Sequence, residues 1–151
     1  MTALITIAGG SNRASAATEV ADAVAERLTG ASVVVPYDTM LREWLRDSRD
    51  DGAVQSLTAQ QVKLLVAGYI RAGLHVVIHG SFALRDRWNT ATLDDMLRLM
   101  RTIPDVQVVR ASAAGASATS TVDVPLDLEH HTVRASATAI CELLPPGDCR
   151  A

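Results

Sequence analysis

The sequence predicts an α/β fold, a three-layer arrangement with helices on both faces of a parallel sheet of about five strands. Short apolar runs that read as buried strands alternate with longer stretches of helical periodicity, and glycine or proline punctuates the junctions. The length, 151 residues, is enough for one domain with a real core.

Leu4-Ile5-Thr6-Ile7-Ala8 is the first strand, ending in Gly9-Gly10. A helix is expected from about Ala16 to Leu28, because Val20, Val24 and Leu28 recur on one face and Gly30 lies just past its end. Ser32 to Val35 is a second strand, stopped by Pro36; Met40 to Arg46 reads as helix and Asp47 to Gly52 as a charged turn. Thr58 suits the N-cap of the next helix, whose buried stripe is Val62, Leu65, Val66, Tyr69 and Ile70, closed by Gly73. His75 to His79 is a third strand ending at Gly80. The helix from about Thr90 to Met100 turns Leu93, Met96, Leu97 and Met100 inward, and Val106 to Val109 is a fourth strand. Ala111 to Thr121, a run of Ala, Ser, Thr and Gly, reads as a loop before a short strand at Thr121 to Val124. Asp127 is the expected cap of a last helix carrying Val133, Ala137, Ile140 and Leu144. Pro145-Pro146-Gly147 ends it, giving a single domain over 1–144 and a flexible tail over 145–151.

Hydrophobic residues make up 48% but aromatics only 3%, so Ala, Val and Leu must fill the interior. No apolar run approaches the roughly 18 residues of a membrane span, and Met1 to Ala8 lacks the pattern of a signal peptide. The net charge of −3 is well mixed and has no basic stripe, which argues against nucleic acid as a partner. Cys141 and Cys149 form neither a disulfide framework nor a zinc pattern and are expected as reduced thiols of a cytoplasmic protein.

Four segments together resemble the P-loop kinases of small molecules, the group of gluconate, shikimate, adenylylsulfate and chloramphenicol kinases. The first is the strand, glycine turn and helix through Val20-Ala21-Asp22-Ala23-Val24-Ala25-Glu26-Arg27-Leu28. The second is Val33-Val34-Val35-Pro36-Tyr37-Asp38, where such kinases often carry the acidic residue that faces the acceptor hydroxyl. The third is Ala72 to Phe82 followed by Arg85-Asp86-Arg87, and the fourth is Val122-Asp123-Val124 leading into a C-terminal helix.

The chain departs from that family at the phosphate loop. A working loop reads GxxxxGK[ST]: its backbone N–H groups cradle phosphate, lysine bridges the β and γ groups, and the hydroxyl binds magnesium. Registered on the helix, the motif falls on Ser11 to Thr18, with Ser11 and Ala16 for the glycines, Ala17 for the lysine, and only Thr18 retained. The third strand ends in His79 where many relatives have Asp, and the region of the arginine-bearing lid shrinks to the uncharged Ser112 to Ser120. ATP and magnesium are therefore not expected as cofactors.

The expected catalytic residues are Asp38, as base or substrate anchor beyond the second strand, and His79, as proton carrier at the ligand edge. Arg13, Arg85 and Arg87 are candidates to hold an anionic substrate through paired guanidinium hydrogen bonds, and Tyr37, which shares the location of Asp38, is a further candidate substrate contact. Ser11, Asn12, Ser15 and Thr18 line the start of the first helix, where an anion is favoured. His75 reads as structural, and neither it nor His79 has a third ligand that would make a metal site.

The leading expectation is a repurposed kinase scaffold acting on a small anionic molecule, for example a lyase or ring-closing enzyme that displaces sulfate or phosphate. The alternatives are a non-catalytic pseudokinase-like subunit of a hetero-complex, a divergent small-molecule kinase, and a flavodoxin-like FMN reductase; a protein partner, in a homo- or hetero-oligomer, is expected besides the small molecule. The flavoprotein alternative rests on Gly10-Ser11-Asn12-Arg13-Ala14-Ser15, which resembles the Gly-Ser-x-Arg-x-x-Ser loop of those flavoproteins one residue shorter.

Overall fold

A computed structural model describes residues 1–8, 14–46, 52–80, 87–112, 122–125 and 132–150. The elements are β1 (Thr2–Ala8), α1 (Ala14–Arg27), β2 (Ser32–Pro36), α2 (Tyr37–Leu45), α3 (Gly52–Arg71), β3 (His75–Gly80), α4 (Arg87–Met100), β4 (Val106–Ser112), β5 (Val122–Pro125) and α5 (Val133–Cys141). The strands form one sheet in the order β2-β3-β1-β4-β5, and every neighbouring pair is parallel.

Parallel strands must be covered on both faces, so the central ones read as unbroken apolar runs. In β1 the alternation sends Ile5 and Ile7 to a core with Val20 and Val24 of α1, Val77 of β3 and Ile140 of α5. Leu4 goes to the opposite core, with Val62, Val66 and Ile70 of α3, Val76 and Ile78 of β3, and Met96 and Met100 of α4. The sheet thus lies between an α1/α5 layer and an α3/α4 layer.

The connection from β1 passes through α1 to β2, beyond β3, while that from β3 passes through α4 to β4, beyond β1. The two crossovers leave neighbouring central strands in opposite directions and on opposite faces. In an open α/β sheet this opens a crevice at the carboxyl ends of the strands, where ligands bind.

Several elements differ from the sequence reading. Helix α3 begins at Gly52, six residues before the expected cap, and Thr58 lies within it, its Oγ1 donating to the Val54 carbonyl at 2.9 Å. Leu65, expected in the buried stripe, is exposed, whereas Val62, Val66 and Ile70 are buried. Helix α4 opens at Arg87 rather than at Thr90, and β4 runs on through Ala111 and Ser112. The cap of α5 is Thr132, whose Oγ1 accepts from the Ala135 N–H at 3.1 Å; Asp127, the expected cap, lies outside the described residues.

The amino-terminal edge of the sheet is fastened by backbone and ring contacts. His75 Nδ1 accepts the Ala3 N–H at 3.0 Å, so the ring proton sits on Nε2, which donates to the Thr29 carbonyl at 3.0 Å. Residues 145–150, expected as a loose tail, return to the end of α1 instead. Thr29 N donates to the Asp148 carbonyl at 2.8 Å and Arg150 N to the Arg27 carbonyl at 2.7 Å, with Leu28 and Cys149 bridged. Gly147, at φ +95°, makes the turn a side chain would resist.

Candidate functional site at the carboxyl edge

The carboxyl edge collects the ends of β2, β3 and β1 and the start of α1. Helix α2 follows β2 without a connecting residue, so Tyr37 and Asp38 stand in its first turn directly above the sheet. There Asp38 leans over the end of β3. A β-carbon built on Gly80 would stand 3.1 Å from Asp38 Oδ1, 3.5 Å from Asp38 Cγ and 3.3 Å from Tyr37 Cβ. Gly80 is therefore the residue that gives the carboxylate room.

His79, one residue earlier, is 7% exposed. It shares strand parity with His75 and Val77, whose side of the sheet α1 covers. Burial lowers its pKa below the usual 6.5, while the carboxylates of Asp22 and Asp38 pull it back up. Asp22 is exposed on the third turn of α1, four residues after the half-buried Thr18, so the two share a face. The sequence reading did not single out Asp22. Its position at i+4 from Thr18, on a helix that crosses over β3, was the available signal.

Of the expected site residues, Asp38, His79 and Thr18 come to this edge. Tyr37 does so only in part: its side chain is 0% exposed and packs in the α3/α4-side core with Val35 and Ile78, behind the site surface. Ser15 and Arg87 belong to the first turns of α1 and α4 by backbone, and their side chains lie outside the described residues. Ser11, Asn12, Arg13 and Arg85 also lie outside the described residues.

A buried imidazole kept neutral by its surroundings can accept a proton at near-neutral pH, and two carboxylates in reach stabilise the cation once it forms. Such an arrangement can move a proton or recognise a donor group. Among the described residues no group of three or more His, Cys, Asp or Glu is arranged to hold a metal ion. Likewise no described helix is long and apolar enough to cross a membrane.

No protein-family model matches the chain, and neither does any curated protein.

Proposed function

We propose that the chain is a P-loop kinase-like scaffold that no longer transfers phosphate from ATP and instead binds or converts a small anionic molecule at its carboxyl edge. One observation carries this reading. Ala17, which takes the place of the phosphate-loop lysine, is 1% exposed and packs with Ile5, Ile7 and Val20. The position that should project a cation toward nucleotide is a core position here, and an apolar side chain cannot bridge β- and γ-phosphates.

The form of chemistry that the residues favour is intramolecular displacement. His79 or Asp38 takes the proton from an attacking hydroxyl or amine of the ligand. That atom forms the new bond to carbon, and the carbon–oxygen bond to a sulfate or phosphate group breaks. The departing anion carries away the electron pair, and Arg13, Arg85 and Arg87 are the candidates to hold it. Calorimetric titration separates this reading from kinase activity. Magnesium-ATP is expected to give no binding heat and inorganic sulfate or phosphate a weak, salt-sensitive one; tight magnesium-dependent ATP binding overturns it.

A second reading, a non-catalytic subunit, is favoured by the outer face of α3. Leu57 and Leu64, 57% and 56% exposed, stand two turns apart on one side of the helix, with Leu65 beside them. The simplest such partner is a second copy of the chain. Sedimentation would then show an oligomer that the Leu57→Glu, Leu64→Glu variant reduces to monomer. The flavoprotein reading is disfavoured by topology. The flavodoxin-like order 2-1-3-4-5 sets the first two strands side by side, whereas β3 separates them here.

A further inference from the structure

Cys141 closes α5 and Cys149 lies in the returning C-terminal segment, yet their sulfurs are 2.7 Å apart, the Cys149 thiol donating to Cys141 Sγ. Independent bonds fix the two positions. On one side, α5 is capped at Thr132, and Arg27 Nη1 donates to Thr138 Oγ1 at 2.7 Å, holding α5 to α1. On the other, the Thr29–Asp148 and Arg150–Arg27 bonds flank Cys149 in sequence, and the Leu28–Cys149 bridge aligns it with the residue that follows α1. The thiols meet because their backbones are held.

We propose that Cys141 and Cys149 are a built thiol pair that oxidises to an intramolecular disulfide by exchange with a small-molecule disulfide, stapling the C-terminal segment to the α1/α5 layer. The order of attack follows from the environment. Cys149 donates its thiol hydrogen to Cys141 Sγ, and burial together with that bond pushes the Cys149 thiol up to about 12, so Cys149 holds its proton and acts second. Cys141 Sγ, the acceptor of that hydrogen bond, attacks the external disulfide as thiolate, forms a mixed disulfide and releases one small thiolate. Cys149 then loses its proton to solvent, and its sulfur attacks Cys141 Sγ, expelling the second small thiolate. Two protein thiols and one disulfide become one protein disulfide and two small thiols, so electrons and atoms balance. The guanidinium of Arg27, close enough to act on Cys149 electrostatically, favours the second ionisation. The pair lies at the amino edge of the sheet, away from Asp38 and His79, so the inference does not depend on the proposed function.

The test uses the full chain with oxidised glutathione as the probe, reading denatured free thiols, intact mass and thermal melting. Wild type is expected to lose both thiols with no retained adduct and a mass lower by two hydrogens. Its melting temperature should rise by about 5–10 °C, reversibly with reductant. Cys149→Ser should trap glutathione on Cys141, while Cys141→Ser should react more slowly and gain no melting shift. Wild type that keeps both thiols, or that holds glutathione as stably as Cys149→Ser, overturns the proposal. If either serine variant fails to fold, wild-type thiol count and mass still decide it.

Discussion

Asp38 Oδ1 stands 3.1 Å from the place a β-carbon would occupy on Gly80, so the carboxylate at the end of β2 and the bare backbone at the end of β3 depend on each other. That separation is tighter than ordinary van der Waals contact, and Tyr37 Cβ at 3.3 Å closes the same space from the side. Gly80→Ala must displace the carboxylate by a few tenths of an ångström. It is expected to cost about 1–3 kcal/mol in urea unfolding, the usual range for overpacking. In the Asp38→Ala background the same substitution should cost measurably less. A double-mutant cycle with no coupling between the two sites would remove the contact from the account.

His79 makes stability depend on pH. Its native pKa lies below 6.5, its approximate value in the unfolded chain, chiefly because burial penalises the cation. As pH falls through 6.5 the unfolded chain takes up a proton that the native one refuses, so the unfolded state gains. The contribution of His79 is fully present above 6.5 and is lost progressively down to its lowered native value. Urea midpoints from about pH 7.5 to about pH 5 should fall, and His79→Gln should flatten that slope. An unchanged slope in the variant would show that His79 is not the group responsible.

At the opposite edge, His75→Phe leaves the Ala3 N–H and the Thr29 carbonyl without the ring that joins them. A buried N–H and a part-buried carbonyl lose their partner at once, and the expected cost is about 2–4 kcal/mol in chemical denaturation. A loss below about 1 kcal/mol would mean that water replaces both bonds.

A lysine placed at the position that the proposed reading aligns with the phosphate-loop lysine tests that core position directly. Ala17→Lys must place a long cationic chain among Ile5, Ile7 and Val20. It is expected to destabilise by about 2–4 kcal/mol without creating magnesium-ATP binding. A stable variant that binds nucleotide would overturn the proposed loss of ATP-dependent transfer.

Thr132 offers a smaller, local check. Thr132→Ala removes the side-chain acceptor of the Ala135 N–H and should cost about 1 kcal/mol, read from the thermal midpoint.

The strands were legible in the sequence because central parallel strands are unbroken apolar runs stopped by glycine or proline, as in Leu4 to Ala8 and His75 to Gly80. Helix starts were harder. Gly52 is a poor helix former, and Thr58 has the side chain of a cap; inside α3 it spends that capacity on the Val54 carbonyl. Asp127 and Thr132 are both capping types, and only the geometry at Ala135 distinguishes them. The docking of residues 145–150 uses backbone groups, which leave no trace in side-chain periodicity. In the site, Asp38 and His79 could be read from their places at strand ends. Asp22 could not, because its relevance comes from a helix crossing a strand more than fifty residues away in sequence.

The central position of β1 bears on how the chain is made. It is made before the other described strands, yet Leu4 pairs with Val76 on one side and Val108 on the other. At roughly 5–20 residues per second, about 4–14 s pass on the ribosome before its first partner strand exists. Through that interval Leu4, Ile5 and Ile7 have no sheet to join, and both edges of β1 are open to a neighbouring nascent chain. Expression yield should therefore respond to chaperone supply and growth temperature during translation more than to the stability of the finished fold.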